Sequence, residues 1–364
     1  MSKDTIRVAL VGCGGMAKRY RAVYAKLPGV TWAVAVDAQP SVLDDCRQGG
    51  AERCSTRFED ALASDVDAVV ISTPNHLHAE QAVAALAADK HILLQKPIAN
   101  TLDAADKIVS AAREAHERSG AWAAMYMSNY DDPCSWAIHA MLKQGLLGTI
   151  QSIRARDAHR GGLTMNPQNW RSSRDQTGGG SFIQLSIHSI NLFCWWLGAR
   201  VDQVAAFSEN RLCPGIGGDD ATAAAVRFSD GTLGTFDSGY ASDLCFREIY
   251  GTRGWVRFMS DGLRRRLEFR LDERFTFASL ISYEHPGTIF SQDIPSPTYD
   301  DVGNVYNQNV VFIDRIRHDQ PPHMTVQAGR DDLAVVEAAY VSARSGRAVH
   351  LQYASAIAAT NAAD

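Results

Sequence analysis

The first third of the chain alternates short apolar runs with segments whose apolar residues recur at helical spacing. Each run has the length of one buried strand, and the run at 7–11 contains two β-branched residues, as in parallel sheets covered on both faces. Since helices separate the runs, the pattern predicts a doubly wound parallel sheet with right-handed crossovers. The predicted strands cover residues 7–11, 31–36, 67–72, 91–94 and 122–127, and the clearest helices cover residues 76–88 and 101–117.

The pattern changes near residue 148, where apolar and polar residues begin to alternate one by one. Alternation with short Gly-containing turns predicts an antiparallel sheet with one covered face. The predicted strands are residues 149–158, 201–208, 221–228, 232–237, 246–250, 255–258 and 267–271, with helices at 182–196, 305–318 and 330–345. The fold class is therefore α/β for an N-terminal domain of residues 1–128 and α+β for a second domain of residues 129–352. An Ala-rich tail, residues 353–364, is predicted to fray.

Length and charge narrow the function classes. A chain of 364 residues exceeds the size of one hydrophobic core, which agrees with two domains. A formal charge of −5, with no Lys or Arg cluster beside aromatic residues, argues against nucleic-acid binding. The first strand begins too early for a secretory signal and no apolar run reaches about 18 residues, so we expect a cytoplasmic protein without a membrane partner. The seven scattered cysteines contain no C-x-x-C pair, which predicts buried thiols and no metal site.

A glycine-rich turn follows the first predicted strand directly. Gly12, Gly14 and Ala17 have the spacing G-x-G-x-x-G/A, in which the small residues permit a tight turn, a close approach to a pyrophosphate and helix packing. The phosphate would then lie at the start of the following helix. The motif alone is equally compatible with a simple strand-to-helix turn. The predicted cofactor contacts in this turn are Gly12, Cys13, Gly14, Gly15, Met16 and Ala17.

An acidic residue, Asp37, ends the second predicted strand, twenty residues beyond Ala17. A carboxylate at this place can accept hydrogen bonds from a ribose 2′-hydroxyl. It would also repel a 2′-phosphate, since like charges at about 4 Å repel by roughly 4 kcal/mol. The sequence therefore favours NAD over NADP. In the alternative interpretation, Asp37 caps the next helix near Ser41.

Several motifs together resemble one family. GCGGMA at 12–17, STPNHLH at 72–78, QKP at 95–97, GGGSFIQLSIHSIN at 178–191 and VEAAYVSARSGRAVHL at 336–351 are similar, in order and spacing, to the glucose-fructose oxidoreductase, inositol dehydrogenase and MocA (Gfo/Idh/MocA) family. The resemblance implies a Rossmann domain, an open antiparallel sheet, and NAD(P)-dependent oxidation of sugars, sugar acids or polyols. It also implies a homodimer or homotetramer.

The resemblance implies roles for particular residues. Lys96 matches the lysine of the family's Glu-Lys-Pro motif, and His188 matches the family's histidine. Pro97 follows Lys96, and in the family the peptide bond before this proline is often cis. His188 would accept the proton of the substrate hydroxyl, and Lys96 would donate a hydrogen bond to the same oxygen. The remaining predicted cofactor contacts are Ser72, Thr73, Pro74, Asn75, His78, Gln95 and Lys96.

The chain also departs from the family pattern. Gln184 stands where the family usually has Asp, and an amide cannot stabilise an imidazolium as a carboxylate does. On a helix Gln184, His188 and Asn191 would share one face. Alternatively, Gln184 forms a capping box with Ser181. Gln95 replaces the family Glu and removes a charge beside Lys96.

The expected substrate is a neutral sugar or polyol. Family members often have arginines after the strand that ends near Met127, whereas Ser128, Asn129 and Tyr130 occur here. Polar groups next to a Trp suit a carbohydrate, whose hydroxyls need hydrogen bonds and whose ring packs on an aromatic side chain. The predicted substrate contacts are Lys96, Asn129, Arg156, His159, Trp170, Arg171, Gln184 and His188.

The sequence thus predicts an NAD-dependent sugar or polyol dehydrogenase with Lys96, His188 and Gln184 at the reacting centre. Two other functions stay open. One is a redox-neutral enzyme that retains NAD and acts through a transient keto-sugar, which the missing Asp would permit. The other is an NAD-responsive binding protein without catalysis, which has no need for Lys96 and His188.

Overall fold

The computed structural model describes residues 5–353, and these residues form two compact units. The first unit comprises residues 5–131 and 298–330, and the second comprises residues 132–297 and 331–353. The predicted tail lies outside the described residues except for Tyr353, whose hydroxyl donates to the Val201 carbonyl at 2.6 Å. No helix within residues 5–353 combines the length and the apolar character that crossing a bilayer requires.

The first unit contains a six-stranded parallel sheet in the order β3-β2-β1-β4-β5-β6. The apolar runs form its centre because their side chains are buried on both faces, as the burial of the consecutive residues Val8, Ala9 and Leu10 shows. The strands are β1 (Ile6–Val11), β2 (Val30–Val36), β3 (Arg53–Ser55), β4 (Ala68–Ile71), β5 (His91–Gln95) and β6 (Ala123–Tyr126). The predicted doubly wound sheet is therefore confirmed, with the short edge strand β3 in addition.

Helices connect these strands. They are α1 (Ala17–Tyr24), α2 (Pro40–Gln48), α3 (His78–Ala87) and α4 (Leu102–Ser119). Thr101 caps α4 by accepting from the Ala104 N–H at 3.2 Å, and Gly120 ends it with φ of 75°. The sheet order reverses between β1 and β4, and ligands of such sheets bind beside this point.

Residues 298–330 return to the first unit, although the sequence pattern assigned them to the second domain. Their helix, α8 (Gln308–Arg317), buries Phe312 and Ile313 in the core formed by β1 and α1. The Tyr24 hydroxyl donates to the Asn309 amide oxygen at 3.0 Å. A contact between residues this far apart in sequence leaves no local signal, and this explains the difference.

The second unit is built on a nine-stranded sheet in the order β16-β13-β12-β11-β7-β10-β9-β8-β17. All adjacent strands are antiparallel except β7 and β10, so the predicted mostly antiparallel sheet is confirmed. The strands are β7 (Ile150–Ala158), β8 (Val201–Glu209), β9 (Ala221–Phe228), β10 (Leu233–Gly239), β11 (Cys245–Gly251), β12 (Gly254–Ser260), β13 (Arg265–Leu271), β16 (Phe290–Asp293) and β17 (Val349–His350). A separate hairpin pairs β14 (Phe275–Phe277) with β15 (Ile281–Tyr283).

One face of this sheet is covered and the other is exposed. Along β9, the buried residues Thr222, Ala224, Val226 and Phe228 alternate with exposed residues. A π-helical turn, Phe182–Ser186, lies against β7 and β10 and leads into α7 (Ile187–Leu197), which also contacts β7. The other helices are α5 (Pro133–Lys143), α6 (Arg174–Thr177) and α9 (Val326–Ser345), which crosses the division between residues 330 and 331. The predicted 182–196 helix therefore exists, but its first turn is wider than an α-helix.

Candidate functional site

The glycine turn at residues 12–17 joins β1 to α1 in the first unit. Gly12 has φ of 81°, and a Cβ there would lie 2.7 Å from the Ser72 carbonyl carbon at the end of β4. Only glycine fits this position. A Cβ on Gly14, by contrast, would meet nothing within 4 Å. The first glycine therefore allows close packing, and the second leaves open space beside the turn.

The start of α1 is suited to bind an anion. No side chain caps the helix, and its first turn contains no acidic residue. The first N–H groups of a helix have no partners within the helix, and its dipole favours negative charge there. Ala17, the third small residue of the motif, is buried in the core. These features fit the pyrophosphate of a dinucleotide.

Asp37 follows β2 and is hydrogen-bonded to the glycine turn. Its Oδ2 accepts from the Cys13 N–H at 2.8 Å, and its Oδ1 accepts from the Gln39 N–H at 2.9 Å. The helix α2 begins at Pro40, and no side chain caps it. The interpretation of Asp37 as a cap near Ser41 is therefore wrong. Each carboxylate oxygen has a second lone pair, so Asp37 can still accept from ribose hydroxyls.

The turn after β4 contains Ser72, Thr73, Pro74 and Asn75. The Thr73 hydroxyl donates to the Gln81 amide oxygen at 2.6 Å, and Asn75 is buried. His78, the first residue of α3, has an exposed fraction of 0%. Its Nε2 lies 2.9 Å from the Thr73 carbonyl oxygen and its Nδ1 lies 2.9 Å from the Pro97 carbonyl oxygen. Burial lowers the pKa of this imidazole. His78 thus joins two loops instead of opening to solvent.

The lysine segment follows β5. Lys96 is half-buried, and the Lys96–Pro97 peptide bond is cis, which confirms the expectation for this motif. Gln95 is buried and accepts from the Lys96 N–H at 2.8 Å through its Oε1, while its Nε2 donates to the Tyr20 hydroxyl. An amide both donates and accepts, which the carboxylate of the family pattern could not do.

Buried tyrosines continue this network. Tyr20 and Tyr126 have ring centroids 4.8 Å apart, and the Tyr126 hydroxyl donates to Asp131 at 2.5 Å. Asp131 also accepts from the Gln308 N–H at 2.6 Å. Burial raises the pKa of Tyr20 and of Tyr126. Asn129, a predicted substrate contact, lies half-buried in the 3₁₀ turn Ser128–Asp131.

The structure brings the predicted cofactor residues of the first unit to one edge of the sheet. Gly12, Asp37, Ser72 and Lys96 each follow the carboxyl end of a strand, namely β1, β2, β4 and β5. These four strands are neighbours in the order β2-β1-β4-β5. Since the strands are parallel, these four residues lie at one edge of the sheet.

In the second unit, Asp219 holds the turn before the His188 helix. Its Oδ1 accepts from the Gly180 N–H at 2.8 Å and the Tyr340 hydroxyl at 2.7 Å. Its Oδ2 accepts from the Ser181 hydroxyl at 2.7 Å, the Phe182 N–H at 2.9 Å and the Thr222 hydroxyl at 3.0 Å. Asp219 is only 7% exposed. A buried carboxylate with five donors fixes this turn.

The predicted capping box between Ser181 and Gln184 is wrong. The Ser181 hydroxyl is hydrogen-bonded to Asp219 and Ser238, and no side-chain cap begins the π-helical turn. The cap comes instead from Asp219, 38 residues away. The glycines at 179 and 180 permit this contact, because a Cβ on Gly180 would overlap the Asp219 carbonyl. Sequence reasoning missed Asp219, although the run Gly217-Gly218-Asp219-Asp220 is a local signal that could have indicated a tight, acid-containing loop.

Gln184 lies buried in the π-helical turn, and His188 follows as a half-buried residue of α7. One turn further, the buried Asn191 donates from Nδ2 to Asp332 at 2.8 Å. Burial raises the pKa of the Asp332 carboxyl well above its usual range. π-Helical turns inside helices occur frequently at functional sites.

Ser189, the residue after His188, is hydrogen-bonded to a buried ion pair of Asp157 and Arg247. Arg247 donates to Asp157 at 2.7 Å, Ser189 donates to the same carboxylate at 2.5 Å, and Arg247 Nε lies 3.0 Å from the Ser189 hydroxyl. This pairing anchors α7 to β7 and β11. Sequence reasoning missed Arg247, because a charged residue in an alternating strand carries no distinct signal.

The other predicted substrate contacts of the second unit lie on β7 and in the segment after it. Arg156 pairs with Asp237 at 2.5 Å, and the exposed His159 accepts from the Gly161 N–H at 2.9 Å through Nδ1. The Arg171 guanidinium lies 4.5 Å from the centroid of the half-buried Trp170 ring. Within residues 5–353, no cluster of three or more His, Cys, Asp or Glu side chains could hold a metal ion.

Two family models match the chain. The model for the oxidoreductase family, NAD-binding Rossmann fold, matches residues 6–121, and the model for the GFO/IDH/MocA C-terminal domain matches residues 136–257. Together they cover well over half of the chain and agree with the two units.

Two curated relatives are similar in sequence. The chain is 32% identical over 213 residues to 1,5-anhydro-D-fructose reductase of Ensifer adhaerens, a match that spans 57% of this chain and 61% of that protein. It is 26% identical over 293 residues to levoglucosan dehydrogenase of Pseudarthrobacter phenanthrenivorans, spanning 70% and 74% respectively. A solved structure of levoglucosan dehydrogenase with NADH and levoglucosan superposes with a TM-score of 0.82 at 20% identity, covering 95% of this chain and 99% of that chain. This likeness shows the fold.

Proposed function

The chain belongs to the GFO/IDH/MocA family of oxidoreductases, and we propose that it is an NAD-dependent dehydrogenase that oxidises a secondary hydroxyl of a sugar, sugar derivative or cyclic polyol. One observation carries the proposal. Four groups of different chemistry follow the carboxyl ends of adjacent strands: the glycine turn, Asp37, the Ser72–Asn75 turn and Lys96. Ligands of doubly wound sheets bind at this edge.

The residues of the first unit fit NAD, which when bound supplies the hydride acceptor. The open space at Gly14 and the uncapped start of α1 suit its pyrophosphate. The Asp37 carboxylate suits ribose hydroxyls and opposes a 2′-phosphate, so we propose a preference for NAD over NADP. The turn from Ser72 to Asn75 and the Gln95–Lys96 segment complete the proposed binding surface.

We assign Lys96 and His188 to the proton chemistry. An ammonium group beside the reacting oxygen stabilises the charge that develops there. An imidazole has an ordinary pKa near 6.5, which suits it to accept the hydroxyl proton. Gln184 can hold a substrate hydroxyl through its amide but cannot stabilise an imidazolium as Asp would. The proposal therefore has two forms: either His188 is a weaker base than in relatives with Asp, or Lys96 carries more of the proton transfer.

The substrate side is proposed to recognise a neutral carbohydrate. Arg156 is paired with Asp237, so its charge is already balanced. Asn129, His159 and the stacked pair of Trp170 and Arg171 offer hydrogen bonds and an aromatic face. This mixture suits hydroxyls and a sugar ring better than a carboxylate.

A panel of sugars and inositols incubated with NAD tests the proposal. We expect NADH absorbance to rise in proportion to substrate consumed for at least one member. Lys96→Ala should lower kcat by about 100-fold or more with NADH binding little changed. An unaltered kcat would remove Lys96 from the chemistry.

The same panel separates the two other functions. Cleavage or hydration of a sugar without net NADH, by protein that purifies with NAD, would indicate the redox-neutral enzyme. The observation that favours testing the redox-neutral function is Gln184, which stands where dehydrogenases of the family usually have Asp. NAD binding with no turnover of any carbohydrate would indicate a binding protein.

The exposed face of the nine-stranded sheet supports a proposed homodimer or homotetramer. Phe207 on β8 is 83% exposed and Leu233 on β10 is 58% exposed. Large apolar side chains on one open face favour association with another surface. Light scattering of wild-type protein and Phe207→Asp tests this, and a monomeric wild type would refute it.

A further inference from the structure

Two buried side chains contact the backbone of the lysine segment. His78 lies with Nδ1 2.9 Å from the Pro97 carbonyl oxygen, immediately after Lys96. Gln95 Oε1 accepts from the Lys96 N–H at 2.8 Å. The peptide groups on both sides of the Lys96–Pro97 pair are therefore held by side chains that are themselves buried.

Each of these side chains has a second contact in the proposed cofactor site. The Nε2 of His78 lies 2.9 Å from the Thr73 carbonyl oxygen, in the turn after β4. The Nε2 of Gln95 donates to the hydroxyl of Tyr20, which lies on the helix that follows the glycine turn. The lysine segment is thus joined to both loops that would surround the dinucleotide.

The burial of His78 shows why the imidazole does not serve as a direct cofactor contact. Both of its nitrogens face backbone carbonyls, and none of its surface is exposed. A neutral imidazole donates from one nitrogen only, whereas the protonated ring would donate to both carbonyls. In the neutral tautomer protonated at Nδ1, the ring donates to the Pro97 carbonyl and only packs against the Thr73 carbonyl.

We propose that His78 and Gln95 are positioning residues that set the backbone geometry of Lys96 relative to the glycine turn and the Thr73 turn. This inference rests on the proposed function, since it assumes that Lys96 acts in the reaction. A shift of the reacting group by about 1 Å can cost about 100-fold in rate. The contact with Pro97 acts directly on the backbone beside Lys96, whereas the contact with Thr73 adds to the burial that already holds the imidazole in place.

Three substitutions at position 78 separate these contacts. The amide nitrogen of Asn reproduces Nδ1 of histidine, whereas that of Gln reproduces Nε2. We expect His78→Asn to retain most of kcat, and His78→Gln and His78→Leu to lower kcat by about 10–100-fold. The dissociation constant of NADH should change by less than about threefold in all three. Equal losses in His78→Asn and His78→Gln would overturn the assignment to the Pro97 contact.

A double-mutant cycle distinguishes positioning from general stability. If His78 acts through Lys96, His78→Leu should lower kcat in the wild-type background and leave it unchanged in Lys96→Ala. The same is expected of Gln95→Met, with Gln95→Glu as the conservative variant that still accepts from the Lys96 N–H. A further loss of the same size in Lys96→Ala would overturn the proposal.

Amide hydrogen exchange provides a readout that needs no turnover. We expect exchange of the Lys96 and Ile98 amides to accelerate at least about tenfold in His78→Leu and Gln95→Met, while amides of β1 remain protected. Unchanged exchange at Lys96 and Ile98 would overturn the proposal. If wild-type protein oxidises no carbohydrate, the proposed function fails, and the exchange measurement still decides whether these side chains hold the lysine segment.

Discussion

Gly12 and Asp37 each contact the residue or turn that follows another strand of the sheet: Gly12 lies against Ser72 after β4, and Asp37 bonds to the turn after β1. Gly12 has no room for a Cβ beside Ser72, and Asp37 accepts from the Cys13 N–H. Both positions were predictable, because the spacing of small residues and a strand-final acid are local signals. The contact between Asp37 and Cys13 was not predictable, since it depends on how β1 and β2 pair.

Asp37→Asn tests the role of the charge. The amide is nearly isosteric and no longer repels a 2′-phosphate, so the ratio of kcat/KM for NADP to that for NAD should rise at least about tenfold. Steady-state kinetics with both cofactors measure this ratio. Asp44→Asn, an exposed acid on α2, is the matched control. A wild-type enzyme that already prefers NADP would contradict the assignment.

We expect His139 on α5 to make the free energy of unfolding depend on pH. Its ring stacks on Trp195 with centroids 4.3 Å apart, and burial followed by the charge of Lys143 lowers its pKa from 6.5 to about 4. Between these values the unfolded chain binds a proton that the folded chain does not bind. The free energy of unfolding should therefore fall as pH falls from 6.5 towards 4.

His139→Phe keeps an aromatic ring and removes this titration. Urea denaturation at pH 7 and pH 4.5 should show a smaller loss of stability in the variant than in wild type. An equal loss in both proteins would mean that other groups cause the acid sensitivity.

At the scale of elements, the turn at Gly178–Gly180 and the π-helical turn Phe182–Ser186 before α7 depend on Asp219. The sequence predicted the helix and its glycines, because helical periodicity and Gly runs are local. The alternative interpretation, a capping box of Ser181 and Gln184, rested on spacing alone. Spacing cannot reveal that a loop 38 residues away supplies a carboxylate with five donors.

Asp219→Asn should weaken this anchor. The amide cannot accept all five hydrogen bonds and places two N–H groups among donors, so the free energy of unfolding should fall by about 3 kcal/mol. Chemical denaturation measures the change. Asp230→Asn, in the exposed turn between β9 and β10, should change it by less than about 1 kcal/mol. Similar values for the two variants would contradict the anchoring role.

At the scale of the whole chain, the order of helices and strands could be predicted from the sequence, but the assignment of each segment to one of the two units could not. The change of pattern near residue 148 marks the start of the second sheet, because the period of apolar residues reports locally on strand and helix. Residues 298–330 contain an ordinary helix. It belongs to the first unit because Phe312 and Ile313 pack in the same core as residues of α1. Packing between distant segments leaves no periodic trace, and for the same reason Arg247 and Tyr20 were missed as partners of site residues.

The central claim is that a carbohydrate carbon transfers its hydride to NAD in a reaction that needs Lys96. The most direct test uses an active substrate of the panel, deuterated at the carbon that is oxidised. We expect one deuterium per turnover to appear in the NADH formed, and Lys96→Ala to suppress the transfer. NADH without the label, or transfer that is undiminished in Lys96→Ala, would contradict the account.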